Sequence, residues 1–485
     1  MDLVRLELCD GRDTLPEHPV SLPAAQDRPR GGRRNYMPPG GWVVRRRLCA
    51  IALAIVASFG TYIVTVAAPA HAARHRLRTA GELGTGQRAI QVVYPRSRAQ
   101  LAGLSLFTAS SGVTFSDLDA TDVWAKEAIR WVAKDNRWMR DFPPKANGTY
   151  EFRPDVIEKR KLFARAIVRA FAPSAQPSGS TRFTDLDRSS KWYRYAAVAV
   201  ERGWMGAANG TFDPSGNTTM AMTHRALVLA VGLRSAANAL NDIHTRDGVT
   251  FRTKSSFGTT VLGMRLELRY NAPTGKESND VAPPDDLSRA QVAYSLWRAT
   301  TLPSWYVPDL LGQYGNVELP HLGPRVQQIV RWGIRYAGYP YIWGGEWGFD
   351  SPEPSALGGQ PRSGFDCSGL SWWLLRADDG GYWNISPPRP YRGWSLPQRT
   401  STDMANMAPR KLTYTKLEPG DLMFYDGDGN GVVDHVDTFI GNGFALDSSS
   451  SPGGVSIMWV GNGHGAYGSD WYRHHFVWGR RILPR

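Results

Sequence analysis

The chain has 485 residues, of which 42% are hydrophobic, and a formal net charge of +13 at pH 7. This length is sufficient for about three domains, and the hydrophobic fraction argues against a wholly disordered chain. The charge is uneven, because residues 1–72 carry +3, residues 73–320 carry +10 and residues 321–485 carry none. The basic middle segment favours an acidic partner: nucleic acid, an anionic membrane or an anionic wall polymer.

The N-terminal extension, residues 1–72, has the pattern of an export signal. It begins with a polar stretch, after which Met37 would be a more usual start. Arginines at 45–47 precede an apolar run at 48–68, and an Ala-x-Ala cleavage signal ends at Ala72. We therefore expect a secreted protein of the cell wall or cell surface, cleaved after about Ala72. The alternative is an uncleaved N-terminal membrane anchor. Nucleic acid is not an expected partner of an exported protein.

A repeated pattern follows a basic linker at residues 73–113. A Phe-x-Asp-Leu motif at 115–118 recurs at 183–186, and a tryptophan and an Asn-Gly-Thr turn follow in both copies. A third copy is degraded. The last part of each copy has an arginine that opens an apolar helical pattern: Arg160, Arg225 and Arg289. The pattern predicts three repeats, built of amphipathic helices and turns, over residues 114–305.

These repeats resemble S-layer homology (SLH) repeats, which bind anionic secondary polymers of the bacterial cell wall. The resemblance implies an all-helical three-repeat module and a set of polymer contacts: Trp124, Arg160, Trp192, Arg225 and Arg289. Guanidinium groups make bidentate contacts to carboxylate or phosphate, and tryptophan offers a flat face for sugar stacking. The alternative is that the tryptophans belong to the repeat core and the arginines are solvated helix starts.

The last domain is expected to begin near Pro324, after a Pro-containing linker at 306–323. An apolar pattern with helical spacing begins at Val326 and predicts a helix to about Ala337. Five strand-like runs follow further along, at 421–425, 435–440, 444–447, 455–458 and 476–478. A helical start followed by strands predicts an α+β domain with an antiparallel sheet over residues 324–485.

A cysteine in this domain has the setting of a nucleophile. Cys9 and Cys49 lie in the export segment, so a processed chain keeps only Cys367 and forms no internal disulfide. Residues 364–370 read GFDCSGL and precede an apolar, helix-like run. The sulfur would then lie at a helix N-terminus, where free backbone N–H groups and the helix dipole favour the thiolate. The alternative is a buried packing cysteine.

A thiol nucleophile needs a base, and the base needs an orienting group. His435 opens a predicted strand, and a Gly-Asn-Gly turn at 441–443 predicts a hairpin. If the pairing is centred on residue 441, His435 lies opposite Asp447, which would hold the imidazole as the third member of a triad does. Asp437 shares a face with His435 and is the rival orienting residue.

An acidic run before His435 has part of a calcium-loop pattern. Residues 426–431 read DGDGNG, and Asp434 and Asp437 fall at the ninth and twelfth positions. The pattern requires glutamate at the twelfth position, and its flanks here are strands. The alternative is an acidic hairpin tip, and we assign neither a metal nor a cofactor to the predicted site.

The last domain resembles the NlpC-type cell-wall cysteine peptidases over residues 324–485. Four motifs carry the resemblance: Pro-Tyr-x-Trp-Gly-Gly at 340–345, the run 365–370, Pro-Gly-Asp-Leu at 419–422, and His-Val leading to the 441–443 turn. The resemblance implies a papain-like fold and hydrolysis of amide bonds in peptidoglycan stem peptides, often between D-glutamate and a diamino acid. By this resemblance the catalytic residues are Cys367, His435 and Asp447, and the residues that shape or contact the substrate pocket are Tyr341, Asp366 and Ser368.

Three features depart from that family pattern. The orienting residue is usually His, Asn or Gln, whereas Asp447 stands here; a carboxylate should serve and would raise the imidazole pKa. The segment between Gly345 and Phe365 is longer than usual, and Asp437 replaces a small residue. The leading hypothesis is an exported, wall-tethered cysteine endopeptidase. The alternatives are an inactive wall-binding structural protein, and an acyltransferase or amidase that uses the same Cys-His pair.

Overall fold

The computed structural model describes the chain from residue 112 onward, in the following ranges: 112–118, 124–273, 276, 279–347, 354–355, 358–359, 364–376, 396, 398–407, 410–451, 453–461 and 469–483. All of these residues belong to one compact unit. The predicted export signal and nearly all of the 73–113 linker lie outside the described residues. Within the described part, no helix is both long and apolar enough to cross a membrane.

The basic middle of the chain is helical. Its helices are α1 (Lys126–Ile129), α2 (Arg160–Phe171), α3 (Tyr193–Glu201), α4 (Met220–Ala230), α5 (Arg234–Asn241), α6 (Phe257–Arg265), α7 (Arg289–Thr300) and α8 (Tyr306–Tyr314). A π-helical turn, Arg130–Asp135, continues α1. Two short strands, β1 (His244–Thr245) and β2 (Glu318–Leu319), pair in parallel. Helices are the main regular secondary structure of this region, and turns and loops connect them.

The sequence repeat corresponds to a repeat in three dimensions. Asp117 accepts hydrogen bonds from the backbone N–H of Phe152 (2.9 Å) and Arg153 (2.6 Å). Asp185 in the second copy accepts the equivalent bonds from Phe212 (2.9 Å) and Asp213 (2.6 Å). The conserved spacing of the Phe-x-Asp-Leu motif therefore places a carboxylate where it fixes the same turn twice.

Three short segments, one before each of α2, α4 and α7, hold the copies together. Each segment pairs with the other two through the bridges Ile157 to Ser288, Lys159 to Asn217, and Thr219 to Asp286. The residues that begin the three helices are therefore Arg160, Met220 and Arg289. The prediction that Arg225 begins the second helix is wrong, since the side chain of Thr219 caps α4 and accepts from the N–H of Met222.

The predicted linker at 306–323 contains helix α8. Val307, Leu310 and Tyr314 recur on one face of this helix and are buried. The hydroxyl of Tyr314 donates to the carbonyl of Ile457 (2.9 Å) and accepts from the N–H of Trp459 (3.2 Å), both in the C-terminal region. Burial of this apolar face explains why the segment is ordered despite its proline. The hydrogen bonds of Tyr314 also connect α8 of the helical region with the last domain.

The C-terminal region combines helices with an antiparallel sheet. Its helices are α9 (Pro324–Arg335), α10 (Cys367–Arg376), α11 (Ser401–Asn406) and α12 (Ser469–His475). Its strands are β3 (Glu346–Trp347), β4 (Pro354–Ser355), β5 (Gly358–Gly359), β6 (Gly364–Phe365), β7 (Leu422–Tyr425), β8 (His435–Gly441), β9 (Phe444–Ser449), β10 (Gly454–Trp459) and β11 (Phe476–Arg480). The main sheet has the order β10-β9-β8-β7-β11, and all of its neighbouring pairs are antiparallel. The five predicted strands and the predicted first helix are confirmed.

The two faces of this sheet have different roles. One face packs on the helices; the Leu446 side chain, for example, lies against Gly333 of α9. On the same face, the hydroxyls of Ser371 in α10 and Thr438 in β8 are 3.2 Å apart. The other face carries a second apolar cluster that includes Met423, Tyr425, Phe439, Ala445, Met458 and Tyr472. The carboxylates of the candidate site lie on this second face.

The β8–β9 hairpin turns at Asn442 and Gly443, with φ of 50° and 80°. Two positive φ values are those of the type I′ turn that Asn-Gly favours. Thr438 pairs with Leu446 and Phe439 with Ala445, and an irregularity follows before Gly441. This register places Asp437, not His435, across from Asp447. The predicted pairing of His435 with Asp447 is therefore wrong in register, because the Asn-Gly turn and the irregularity displace its centre.

Candidate active site

The sulfur of Cys367 lies at the start of helix α10, as the sequence predicts. The side chain is 7% exposed, and Sγ is 3.9 Å from the carbonyl oxygen of Asp434. Asp366 caps the helix, because its carboxylate accepts from the N–H of Gly369 and from the hydroxyl of Ser368 (3.1 Å). A carboxylate at this position satisfies N–H groups that have no partner within the helix. These hydrogen bonds therefore fix the backbone next to Cys367, the predicted nucleophile.

Arg399 fixes the position of the Asp366 cap through several hydrogen bonds. This residue was not predicted from the sequence. Its guanidinium donates to both carboxylate oxygens of Asp366 at 3.1 Å and to Glu346 at 2.6 Å. It also donates to the hydroxyl of Ser368 (2.9 Å) and to the carbonyl of Gly345 (3.2 Å). All four side chains are buried. Asp366 and Ser368, predicted to touch substrate, are thus occupied in a buried network that fixes the loop of Cys367.

His435 lies between the thiol and two carboxylates. Its Nε2 is 3.1 Å from Oδ1 of Asp437 and 3.1 Å from Oδ1 of Asp447. The Cys367 side chain is near enough to contribute to the raised pKa of the imidazole, and its sulfur is 3.9 Å from the carbonyl oxygen of Asp434, the residue before His435. Both aspartates are fully buried. The structure therefore places His435 near Cys367 and Asp447, and it adds Asp437. His435 hydrogen-bonds Asp437, whereas Oδ1 of Asp447 lies at the same distance without a hydrogen bond.

The buried charges set the protonation of the site. Burial lowers the pKa of the His435 imidazole, whereas the charge of Asp437 raises it. Interactions with the side chains of Asp437, Asp447 and Cys367 raise it further, and the resulting pKa is well above the ordinary value. Burial and the charge of Asp447 raise the pKa of Asp437 to about 8, against the opposing charge of His435. An imidazolium next to a thiol favours the thiolate, which is the nucleophilic form.

Aromatic side chains surround His435 and were not predicted. The hydroxyl of Tyr472 donates to Oδ2 of Asp447 at 3.0 Å. The rings of Tyr425, Trp471 and Tyr472 have their centroids between 5.5 and 6.3 Å from that of the imidazole. Such packing excludes water and restricts the rotation of the histidine. Residues that lie so far from His435 in the sequence carry no local signal of this contact.

Tyr341 lies beside the nucleophile, in agreement with the expected location. Burial raises the pKa of its phenol well above the ordinary value, and the charges of Cys367 and Asp366 add to this effect. The hydroxyl therefore stays protonated and can donate a hydrogen bond. Its contact with a substrate remains a prediction.

Two of the predicted polymer-contacting arginines are buried in the helical region, where they bind groups of the protein itself. Arg289 is 1% exposed and pairs with Asp141 (2.7 Å) and Glu158 (2.6 Å). Arg160 is 7% exposed and donates to the carbonyls of Phe212 (2.8 Å) and Gly206 (2.7 Å). Both hold loops of the repeats. Their burial argues against direct contact with an external polymer.

The remaining predicted contacts are partly accessible. Trp124 stacks on Tyr270 with ring centroids 4.2 Å apart, and Trp192 lies under the guanidinium of Arg165. Both tryptophans pack against the core, which favours the alternative role in the repeat interior. Arg225 is half-buried within α4. Polymer binding by these three residues remains a prediction.

The acidic run forms a compact turn. Carboxylate oxygens of Asp426, Asp428 and Asp434 lie within 4.8 Å of one another, a spacing that could accommodate a cation. Backbone N–H groups satisfy them, however: Asp426 accepts from Gly431 (2.8 Å) and Asp434 from Gly427 (3.0 Å). These bonds account for the turn without an ion. Asp437, the twelfth position of the pattern, belongs instead to the site of His435.

A comparison with known protein families agrees with the fold of the C-terminal domain and with the geometry of its candidate site. Residues 338–475 match the NlpC/P60 family. The C-terminal domain has the papain-like α+β fold of that family. The match includes Cys367, His435 and Asp447, and it confirms the resemblance stated for this domain. The SLH resemblance of the helical region remains a prediction.

Three of the curated relatives of this chain are endopeptidases by name. Murein DD-endopeptidase MepH of Escherichia coli is 29% identical over 153 residues, which are 31% of this chain and 43% of that protein. The bifunctional muramidase/DL-endopeptidase CwlT of Bacillus subtilis is 29% identical over 173 residues, 34% of this chain and 43% of that protein. Peptidoglycan endopeptidase RipB of Mycobacterium tuberculosis is 32% identical over 145 residues, 30% and 52% of the two chains. The chain thus spans about half the length of these relatives or less.

Proposed function

We propose that this protein is an exported cysteine endopeptidase that hydrolyses amide bonds in peptidoglycan stem peptides. The observation that carries the proposal is the placement of Cys367 at a helix N-terminus, with its sulfur 3.9 Å from the carbonyl of Asp434 and so next to His435, whose Nε2 lies 3.1 Å from two buried carboxylates. The similarity of residues 338–475 to the NlpC/P60 family supports the substrate class. The relatives are named for different bonds, and we favour the bond between D-glutamate and a diamino acid.

The proposed reaction uses only side chains and backbone of this chain and water. His435 accepts the thiol proton of Cys367, and the thiolate attacks the amide carbonyl. Backbone N–H groups at the start of α10 stabilise the oxyanion that forms. The imidazolium then gives its proton to the leaving amine as the C–N bond breaks. Water hydrolyses the thioester and restores the thiol.

Digestion of purified peptidoglycan tests this proposal. We expect the purified protein to release stem-peptide fragments, whose masses identify the bond, and Cys367→Ala to release none. The variant is a matched control, because removal of one sulfur from a nearly buried position leaves the Asp366–Arg399 network intact. Failure of the wild-type protein to release fragments from several wall types would reject the peptidase and favour a wall-binding role.

We also propose that the helical region tethers the enzyme to an anionic secondary wall polymer. Its charge supports this, since residues 73–320 carry +10. A cavity of about 770 Å³ between the helical region and α9 also supports it. Four exposed cations line this cavity, together with the rings of Phe251 and Tyr339 and with no acidic side chain: Arg252, Lys254, Arg331 and Arg335. Tethering would raise the concentration of the enzyme at an immobile substrate.

Sedimentation with intact cell walls tests the tether. We expect the double variant Arg331→Gln/Arg335→Gln to bind about tenfold more weakly, a loss of about 1.4 kcal/mol. Arg182→Gln/Arg188→Gln removes the same charge from an exposed surface elsewhere and should bind like wild type. Walls from which the anionic polymers have been extracted should bind wild type and both double variants weakly. Equal effects of the two double variants would contradict a specific site.

A further inference from the structure

A buried cation from the helical region reaches the catalytic domain. Arg265, the last residue of α6, is 1% exposed. Its Nη1 is 3.6 Å from the sulfur of Met458 in strand β10. Met458 pairs with Ala445 of β9, and Asp447 lies two residues after Ala445. Since residues i and i+2 of a strand share a face, the guanidinium lies at the sheet face that carries Asp447.

The surroundings of Arg265 are built from both regions. Tyr306 of α8 donates its hydroxyl to the backbone carbonyl of Arg265. The groups that act on the guanidinium charge are the hydroxyls of Tyr314, Tyr306 and Tyr472 and the carboxylate of Asp447. Of these, only a carboxylate ordinarily carries a negative charge at neutral pH. A guanidinium so deeply buried requires a counter-charge.

The two carboxylates at His435 would repel each other if both were ionised, and a nearby cation would lower the cost of ionising one of them. Asp437 and Asp447 are both buried and both 3.1 Å from the same imidazole nitrogen. Two carboxylates that share a site do not both ionise without a large cost. Burial and the neighbouring charge of Asp447 raise the pKa of Asp437, so the ionised form of Asp437 is disfavoured at this site. In the sheet order β10-β9-β8, Asp447 lies on β9, next to the strand that Arg265 contacts, whereas Asp437 lies on β8, one strand further away.

We propose that Arg265 is a positioning residue that places the negative charge of the carboxylate pair on Asp447. Asp447, steadied also by Tyr472, then holds His435 in the orientation that serves Cys367. The groups that face this network are Tyr425 from β7, His435 and Asp437 from β8, Tyr472 from α12, and Tyr341. The helical region would thus complete the active site as well as tether it. This inference rests on the proposed peptidase function.

Replacement of Arg265 by methionine and by lysine tests the proposal. Methionine keeps much of the volume and removes the charge, whereas lysine keeps the charge. Without the cation every nearby acid holds its proton more tightly, so the midpoint of Cys367 alkylation by iodoacetamide should move to higher pH. We expect a rise of about half a pH unit or more in Arg265→Met and a much smaller change in Arg265→Lys. Mass spectrometry of the Cys367 peptide distinguishes it from the other cysteines.

Hydrolysis kinetics give the second readout. We expect kcat of Arg265→Met to fall about tenfold with KM within about twofold, because the change alters orientation of the base and not substrate binding. Arg265→Lys should recover most of that loss. A methionine variant whose activity falls only in step with its thermal stability, with an unchanged alkylation midpoint, would overturn the proposal. If wild type alkylates as expected but hydrolyses no wall, the peptidase function fails while the alkylation shift still supports the role of Arg265.

Discussion

His435→Ala is expected to lower the rate of peptidoglycan hydrolysis by at least about a thousandfold. The imidazole accepts the proton of Cys367 and returns it to the leaving amine, and its Nε2 lies 3.1 Å from each of the two carboxylates. Removal of the ring also leaves Asp437 and Asp447 buried without their shared partner. The measurement is kcat/KM on a soluble stem peptide, with thermal unfolding recorded for each variant.

A second histidine variant separates chemistry from stability. His435→Gln retains an amide donor for the carboxylates but has no base, so it should be folded and equally inactive. An active glutamine variant would contradict the assigned role. The same assay ranks the aspartates: we expect a larger loss from Asp447→Asn than from Asp437→Asn, because Tyr472 and Arg265 both act on Asp447.

Arg399→Met is expected to destabilise the protein by about 3–5 kcal/mol. The guanidinium is 8% exposed and pairs with both Asp366 and Glu346, so its replacement removes this cation from two buried carboxylates. The cap of α10 loosens at the same time, and activity should fall because Cys367 follows Asp366 directly. Urea unfolding of the variant and of wild type measures the change in free energy of unfolding.

Two further variants define the cause of that loss. Arg399→Lys keeps the charge but lacks the planar fork that contacts both oxygens of Asp366, so it should lie between wild type and methionine. Arg335→Met removes an exposed arginine from α9 and should change stability by less than about 0.5 kcal/mol. A loss from Arg399→Met as small as that of the control would show that the network does not support the nucleophile loop.

Much of the candidate site could be predicted from local sequence. Cys367 precedes an apolar helical run, His435 begins a strand, and Asn442-Gly443 favours a particular turn. Each of these signals depends on residues a few positions apart, for which backbone geometry dictates the outcome. The repeat was equally visible, because Asp117 and Asp185 occupy the same place in two similar motifs.

Partners distant in the chain could not be predicted in this way. Arg399 reaches Asp366, Tyr472 reaches Asp447, and Arg265 approaches the sheet face of the catalytic carboxylates. Nothing near Arg265 in the sequence distinguishes it from the exposed arginines of the same basic region. The role of Arg265 follows from the burial of its side chain, and that burial depends on which helices and strands pack together.

The sequence by itself determined the first helix and the strands of the last domain and the repeated Phe-x-Asp-Leu motif, and it predicted the nucleophile and the base, since these follow from periodicity, motif spacing and turn chemistry over short stretches. The tertiary structure alone decided the register that sets Asp437 across from Asp447, the burial of Arg160 and Arg289, and the order of the 306–314 segment. The physical reason is that the free energy of a buried charge or an apolar face depends on long-range neighbours, which periodicity does not encode.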